Sequence, residues 1–377
     1  MRKTVVIIAC VLMIASIINR DAFKEDISKR TVVQGVGIDL NDDGTYTVTL
    51  ETINTENYSN ADGTASPVMN IRTLSGKTVY SAIKSAYSID GKTPLMSQNR
   101  VIIIGKSLAE KNIIPALDFF IRDAENYPSV LIAMAETSAE DFFKKSTNDS
   151  SVVSRSVERI ILTAQEDLTV SSISLCELVN RYKDGASSFY MPIMSVEKVG
   201  DKANAVSKGT AIFKNGKLSL TLNEPETVCL NFLCNKAKKG AIDISVNGVP
   251  AAVSIIKSQT MRKLDYQSDF PRFNIEIKAT ADLAELSDKT ISSITDKDIN
   301  KIETNAEIKL KSEIQDFCEK IYKVNKTDPV GLSRLIFIYY PEKYRQQKEN
   351  LNEIMTQGQY NVEVDIKIRR VGQDYSS

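Results

Sequence analysis

The residues best placed for chemistry are four charged side chains in one short stretch, Asp118, Arg122, Asp123 and Glu125. Carboxylates gathered round a guanidinium could act as general acid and base in an exported hydrolase. The same grouping at a helix end is more often a surface ion-pair cluster, where an exposed pair contributes about 0–1 kcal/mol. With Phe119, Phe120 and Ile121 interleaved, the stretch is expected to form a contact surface. The rest of the catalytic repertoire is thin. The chain has no histidine, which removes Ser-His and Cys-His nucleophile pairs and the commonest metal ligand. It has no tryptophan either, which argues against a carbohydrate-stacking groove.

Other motifs that invite chemistry lead to structural readings. The five cysteines are Cys10, Cys176, Cys229, Cys234 and Cys318. Without histidine or a second paired-cysteine motif they suggest buried free thiols, and no metal or cofactor is expected. Gly35 and Gly37 lie inside a strand pattern with no helix after them and no third glycine, so they do not form a nucleotide loop. Gly76-Lys77-Thr78 lacks the upstream glycine of a phosphate loop, because Ile71 stands there, and Thr78 is expected to cap a helix.

The element that places all of these is residues 5–18, VVIIACVLMIASII, a run without charge behind Arg2 and Lys3. At about 1.5 Å per residue it covers roughly 21 Å, short of a bilayer core of roughly 30 Å. It is expected to be a signal or marginal anchor over 1–20, with the remainder exported. Cys10 is the candidate for lipid attachment, but only five apolar residues precede it. Membrane attachment is therefore expected chiefly from the uncleaved apolar segment itself or from proteins beside it, with a lipid on Cys10 third. Lysine plus arginine equals aspartate plus glutamate at 48 each, so no net field recruits nucleic acid.

Hydrophobic periodicity predicts an α+β (mixed α/β) chain of several subdomains, with mixed β-sheets flanked by helices. An N-terminal α/β domain is expected over 21–200 and a C-terminal α/β domain over 205–372, with a further division near 260–270 and a tail at 373–377. The polar, aperiodic stretch 200–206 is read as the boundary. Strand–helix–strand spacing across 100–135 predicts a crossover and a partly parallel sheet. Pro192 marks strand 189–196 as an edge or a bulge. Asp43-Gly44, Asn215-Gly216 and Asn247-Gly248 predict hairpins, and 54–65 a polar loop. The longest element is an amphipathic helix over 296–323, its stripe Ile299, Ile302, Ala306, Leu310, Ile314, Phe317 and Ile321 expected to pack on a sheet.

Several short motifs stand in order along the exported chain: GVGID at 35–39, GKT at 76–78, VIIIGKSLAEK at 101–111, DFFIRDAE at 118–125 and GTAIFKNGKL at 209–218. Asp328-Pro329 with Gly331 and a last strand ending at Gly372 complete the set. In this the chain resembles the Ger(x)C family, the lipoprotein C subunits of spore germinant receptors. The resemblance implies a non-enzymatic ectodomain on the outer face of the spore inner membrane. There it would help nutrients trigger germination beside integral-membrane A and B subunits. Family members carry a lipidated cysteine ahead of a tryptophan-containing segment, and residues 19–27 hold neither. The alternatives from the residues alone are an exported solute-binding protein or hydrolase of unknown substrate.

Overall fold

The computed structural model describes residues 30–54, 68–146, 152–184, 186–200, 202–267, 270–287 and 294–370. The apolar segment with Cys10, most of the polar loop at 54–65 and the tail at 373–377 lie outside the described residues. Among those described, no helix is long and apolar enough to cross a membrane.

The first half is built on one large sheet. Its strands are β1 (Arg30–Leu40), β2 (Tyr46–Asn54), β3 (Val68–Gly76), β4 (Thr93–Leu95), β5 (Val101–Ile104), β6 (Leu131–Ala135), β7 (Ser188–Val199), β8 (Lys202–Lys214) and β9 (Lys217–Leu222). They run in the order β3-β2-β1-β5-β6-β7-β8-β9, with β4 beside the start of β1. The strands β1, β5, β6 and β7 are mutually parallel, as the crossover spacing predicts, and antiparallel hairpins flank them on both sides. Helices α1 (Val79–Ser85), α2 (Tyr87–Asp90), α3 (Lys106–Ala109), α4 (Ile114–Arg122), α5 (Ala139–Lys145), α6 (Val153–Glu166) and α7 (Leu175–Lys183) connect them. The β5 sequence VIII is buried throughout because both faces are covered. Val101 and Ile103 pack against Phe142 and Phe143 of α5 and Val157 and Ile161 of α6. Ile102 and Ile104 point into the larger core with Leu117 and Phe120 of α4.

Gly35 and Gly37 admit α5 and α6 to β1. A Cβ on Gly37 would lie 2.9 Å from Ala139 Cβ, and one on Gly35 would collide with the Ser154 hydroxyl. Two buried carboxylates from the hairpin β1–β2 then hold the helix starts. Asp39 accepts from the N–H of Ala139 (2.8 Å) and of Glu140 (3.0 Å). Glu51 accepts from the N–H of Val153 (2.6 Å) and of Ser154 (2.8 Å) and from the Ser154 hydroxyl. Both satisfy N–H groups that a helix leaves unpaired at its first turn.

Two local expectations take a different form, and a third, at Pro192, is met in one of its two forms. Residues 202–206, read as an aperiodic boundary, open β8, and Val199 pairs with Lys202 across the turn at Gly200. Pairing with a neighbour, which periodicity does not register, makes this a strand. Pro192 sits at a bulge, with the β7–β8 register shifting between Pro192 and Met194, while β7 itself lies inside the sheet. The 296–323 helix changes character before its end. Its α-helical part is α9 (Asp296–Cys318), and Glu319–Val324 forms a wider π turn.

The second half follows α8 (Glu224–Leu233) and holds strands β10 (Gly240–Val246), β11 (Val249–Asp265), β12 (Arg272–Leu286) and β13 (Gln359–Arg370) in that order. The region 260–270 lies in the hairpin joining β11 to β12. β13 returns parallel to β12 after α9 and helices α10 (Ser333–Tyr339), α11 (Pro341–Gln347) and α12 (Leu351–Gln357). Thr295 caps α9 through a capping box with Asp298. Its predicted stripe is buried on the sheet at Ile302, Ala306, Leu310, Ile314 and Phe317. The same helix guards the free edge of β13: Glu307 accepts from the N–H of Ile366 (2.9 Å) and Glu303 from that of Ile368 (2.8 Å).

Candidate functional site

The four charged residues singled out in the sequence lie on one flank of the first sheet, and the structure gives each its own partner. Arg122 and Asp118, one turn apart on α4, pair at 2.8 Å with 77% and 55% of their side chains exposed. Asp123 accepts from the backbone N–H of Glu125 (3.2 Å) and from Asn126 Nδ2 (2.8 Å), which shapes the turn after α4. Glu125 pairs with Arg30 at the start of β1 (2.7 Å). Such separate pairing leaves no two of these carboxylates sharing a hydrogen bond or facing one reacting centre, as acid–base division of labour requires.

What these residues do border is a groove of about 480 Å³ between α1 and α4. Its apolar wall is Val79, Tyr80, Pro115 and Phe119, with Asp118, Arg122 and Asp123 along the rim. The Tyr80 and Phe119 rings stand 5.9 Å apart, and Tyr80 is 56% exposed. An exposed aromatic floor with a charged rim suits protein contact better than catalysis. Phe120 turns inward to the core, so the interleaved aromatics divide between packing and surface.

A second cluster, which sequence reading missed, sits where the two halves meet. Arg181 of α7 donates to Glu177 (3.1 Å), to the carbonyl of Pro329 (2.6 Å) and to the Tyr190 hydroxyl (3.3 Å). Lys236 donates to Glu177 (3.0 Å) and to the carbonyl of Ser172 (2.6 Å). Burial works against charge on Glu177, yet Lys236 and Arg181 outweigh it and hold its pKa below the usual carboxylate range. Burial likewise opposes the charge on Arg181, and Tyr190, Cys234 and Glu177 more than compensate. The Arg181 guanidinium also lies 4.8 Å from the Tyr190 ring centre.

The Asp328-Pro329-Val330-Gly331 motif is the other side of this junction. Asp328 accepts from the N–H groups of Gly331 (2.9 Å), Leu332 (3.0 Å) and Ser333 (2.7 Å) and from the Tyr322 hydroxyl (3.0 Å). Its own N–H donates to Ser188 Oγ of β7 (3.2 Å). Gly331 has φ +79°, a conformation that favours glycine. Tyr322, in the π turn, stacks on Tyr360 at 4.4 Å, and Tyr360 stacks on Phe273 at 5.5 Å. Beside the motif opens a cleft of about 530 Å³, walled by α7 on one side and by β11 and α10 on the other. The motif was visible in the sequence. Its partner Arg181 was not, because an arginine in an amphipathic helix carries no sign that it is buried.

The described cysteines are free: Cys229 and Cys318 are buried, Cys234 half-buried and Cys176 exposed. Burial pushes the Cys318 thiol up to about 12, well out of the reactive range. Cys176 departs from the buried-thiol expectation, since it is exposed, on the α7 wall of the cleft. Among the described residues, no group of three or more cysteine or acidic side chains could hold a metal ion.

Comparison with known proteins gives a consistent result. Residues 24–196 match the family model described as spore germination protein N-terminal domain. Residues 208–372 match the model described as spore germination B3/GerAC like, C-terminal. The chain is 25% identical to spore germination protein B3 of Bacillus subtilis (strain 168), over 92% of this chain and 93% of that one. It is 24% identical to spore germination protein KC of the same organism, over 93% and 91%. The crystal structure of the GerBC protein superposes with a TM-score of 0.59 at 22% identity, covering 91% of this chain and 99% of that one.

Proposed function

The chain belongs to the GerAC-like (Ger(x)C) family of spore germination proteins, and from that we propose that it is the non-enzymatic C subunit of a nutrient germinant receptor. In this reading it stands on the outer face of the spore inner membrane, exported by its N-terminal segment, and assembles with integral-membrane A and B subunits. The observation that carries the reading is the ordered match of both halves to the two family models, which leaves little of the chain unassigned. The groove between α1 and α4 supports it as a subunit contact. Aromatic side chains held rigidly at a surface, with a charged rim, resemble the centre and border of a protein interface. The hydrolase alternative loses its residues, because Asp118, Asp123 and Glu125 are each engaged separately.

The test is recovery of the tagged full chain from spore membranes. Integral-membrane proteins should co-purify with it, and spores lacking it should lose their response to the nutrient served by that receptor. Recovery of the chain alone, together with an unchanged nutrient response in its absence, would sink the proposal.

A further inference from the structure

The cleft beside the Asp328 motif holds positive groups that the junction itself does not use. Glu177 is engaged by Arg181 at 3.1 Å and, from outside the lining, by Lys236 at 3.0 Å. Two further guanidinium groups line the walls. Arg262, on β11, is half-buried, and its side chain forms no hydrogen bond or ion pair among the described residues. Arg334, on α10, forms a long ion pair with Asp184 at 3.6 Å and is 56% exposed, which leaves much of its guanidinium open to the cleft. The α10 wall adds the apolar side chains Leu335 and Ile338, the latter 53% exposed, opposite Ser174 and Asn180 on the α7 side. A volume of about 530 Å³ lies within the range of small-molecule sites, and a seam between two halves of a chain is a common place for one.

The charges select among anions. Among the charged side chains lining the cleft, Arg181, Arg262 and Arg334 stand against Glu177 and Asp184, which leaves a surplus of one positive charge. That balance suits a monoanion, whereas a dianion would meet Asp184 and Glu177 at short range. A planar guanidinium matches a carboxylate in a two-bond fork, and the apolar wall asks for a hydrocarbon body. We propose that this cleft binds a small organic carboxylate, its head between Arg262 and Arg334 and its body on Leu335 and Ile338. Because α7 belongs to the first half and β11 and α10 to the second, such a ligand would touch both. The inference is independent of the receptor reading, since it concerns the chain alone.

Isothermal titration of the full chain with hexanoate, acetate and inorganic phosphate tests it. Hexanoate should bind saturably, and acetate more weakly by about fourfold for each methylene no longer buried. Arg262→Ala should weaken hexanoate at least about tenfold while leaving the thermal midpoint unchanged, since no partner is lost. Arg334→Ala should weaken it similarly, and Arg122→Glu, at a residue that does not line the cleft, should leave it alone. Ile338→Asp should abolish the advantage of hexanoate over acetate. Absence of saturable binding, phosphate binding as tight as hexanoate, or affinity indifferent to Arg262 would each overturn the proposal.

Discussion

The two sheets of this chain solve the same burial problem in opposite ways. The first is covered on both faces by helices, and its central strand β5 is a continuous apolar run with nothing exposed. The second is covered on one face by α9, and β11 and β12 alternate buried and exposed residues along their length. A three-layer body must bring helices close to strands, so it needs small residues at the contacts and buried carboxylates at the helix starts. A two-layer body needs only a stripe on one helix, and it spends its carboxylates on protecting the edge of β13. The difference teaches where each half is vulnerable. The first depends on contacts distant in sequence, and the second on one well-patterned helix.

Measurements at four residues sharpen or break that contrast. Leu310→Ala, in the middle of the α9 stripe, should destabilise the protein by about 3–4 kcal/mol in denaturant titration. A loss below about 1 kcal/mol would mean that α9 is not the cover the second sheet depends on.

Glu51→Ala should cost about 3 kcal/mol, because two N–H groups and a hydroxyl at the start of α6 lose their acceptor. The same carboxylate makes a signed prediction about pH. Burial raises the folded-state pKa of Glu51 above the usual 4.5, against the pull of Ser154 and Val153. Between 4.5 and that raised value the folded chain holds a proton that the unfolded chain has released. The contribution of Glu51 is therefore full below 4.5 and lost as pH rises through the folded value. The stability of the native chain relative to Glu51→Gln should fall over that window. A difference that grows with pH would show that the three donors outweigh burial.

Gly37→Ala should cost about 2 kcal/mol, since Ala139 and Phe143 must yield to the new methyl. Circular dichroism melting would detect it, and an unchanged midpoint would refute close packing of α5 on β1. The smallest effect is expected at the surface. Arg122→Glu breaks an exposed pair and should leave the melting temperature nearly unchanged, while reducing recovery of membrane partners in the co-purification. A large drop in melting temperature would reassign α4 from contact surface to structural support.

What the sequence determined by itself is whatever short-range geometry dictates. Thr78 and Ser138 cap their helices by accepting from N–H groups three residues on, and Asn215-Gly216 and Asn247-Gly248 turn with positive φ at both positions. The α9 stripe and the alternation along β12 follow from helix and strand periods of 3.6 and 2 residues. The flank carrying Asp118 and Arg122 was legible for the same reason, being one turn of one helix. Only the tertiary structure decided that Asp39 and Glu51 would cap helices 100 and 102 residues away. It alone set β13 parallel to β12 and sealed Arg181 against Pro329 across 148 residues. A buried carboxylate and an exposed one look identical along a chain. Which it becomes depends on the donors that folding brings to it from elsewhere, and no local period records them.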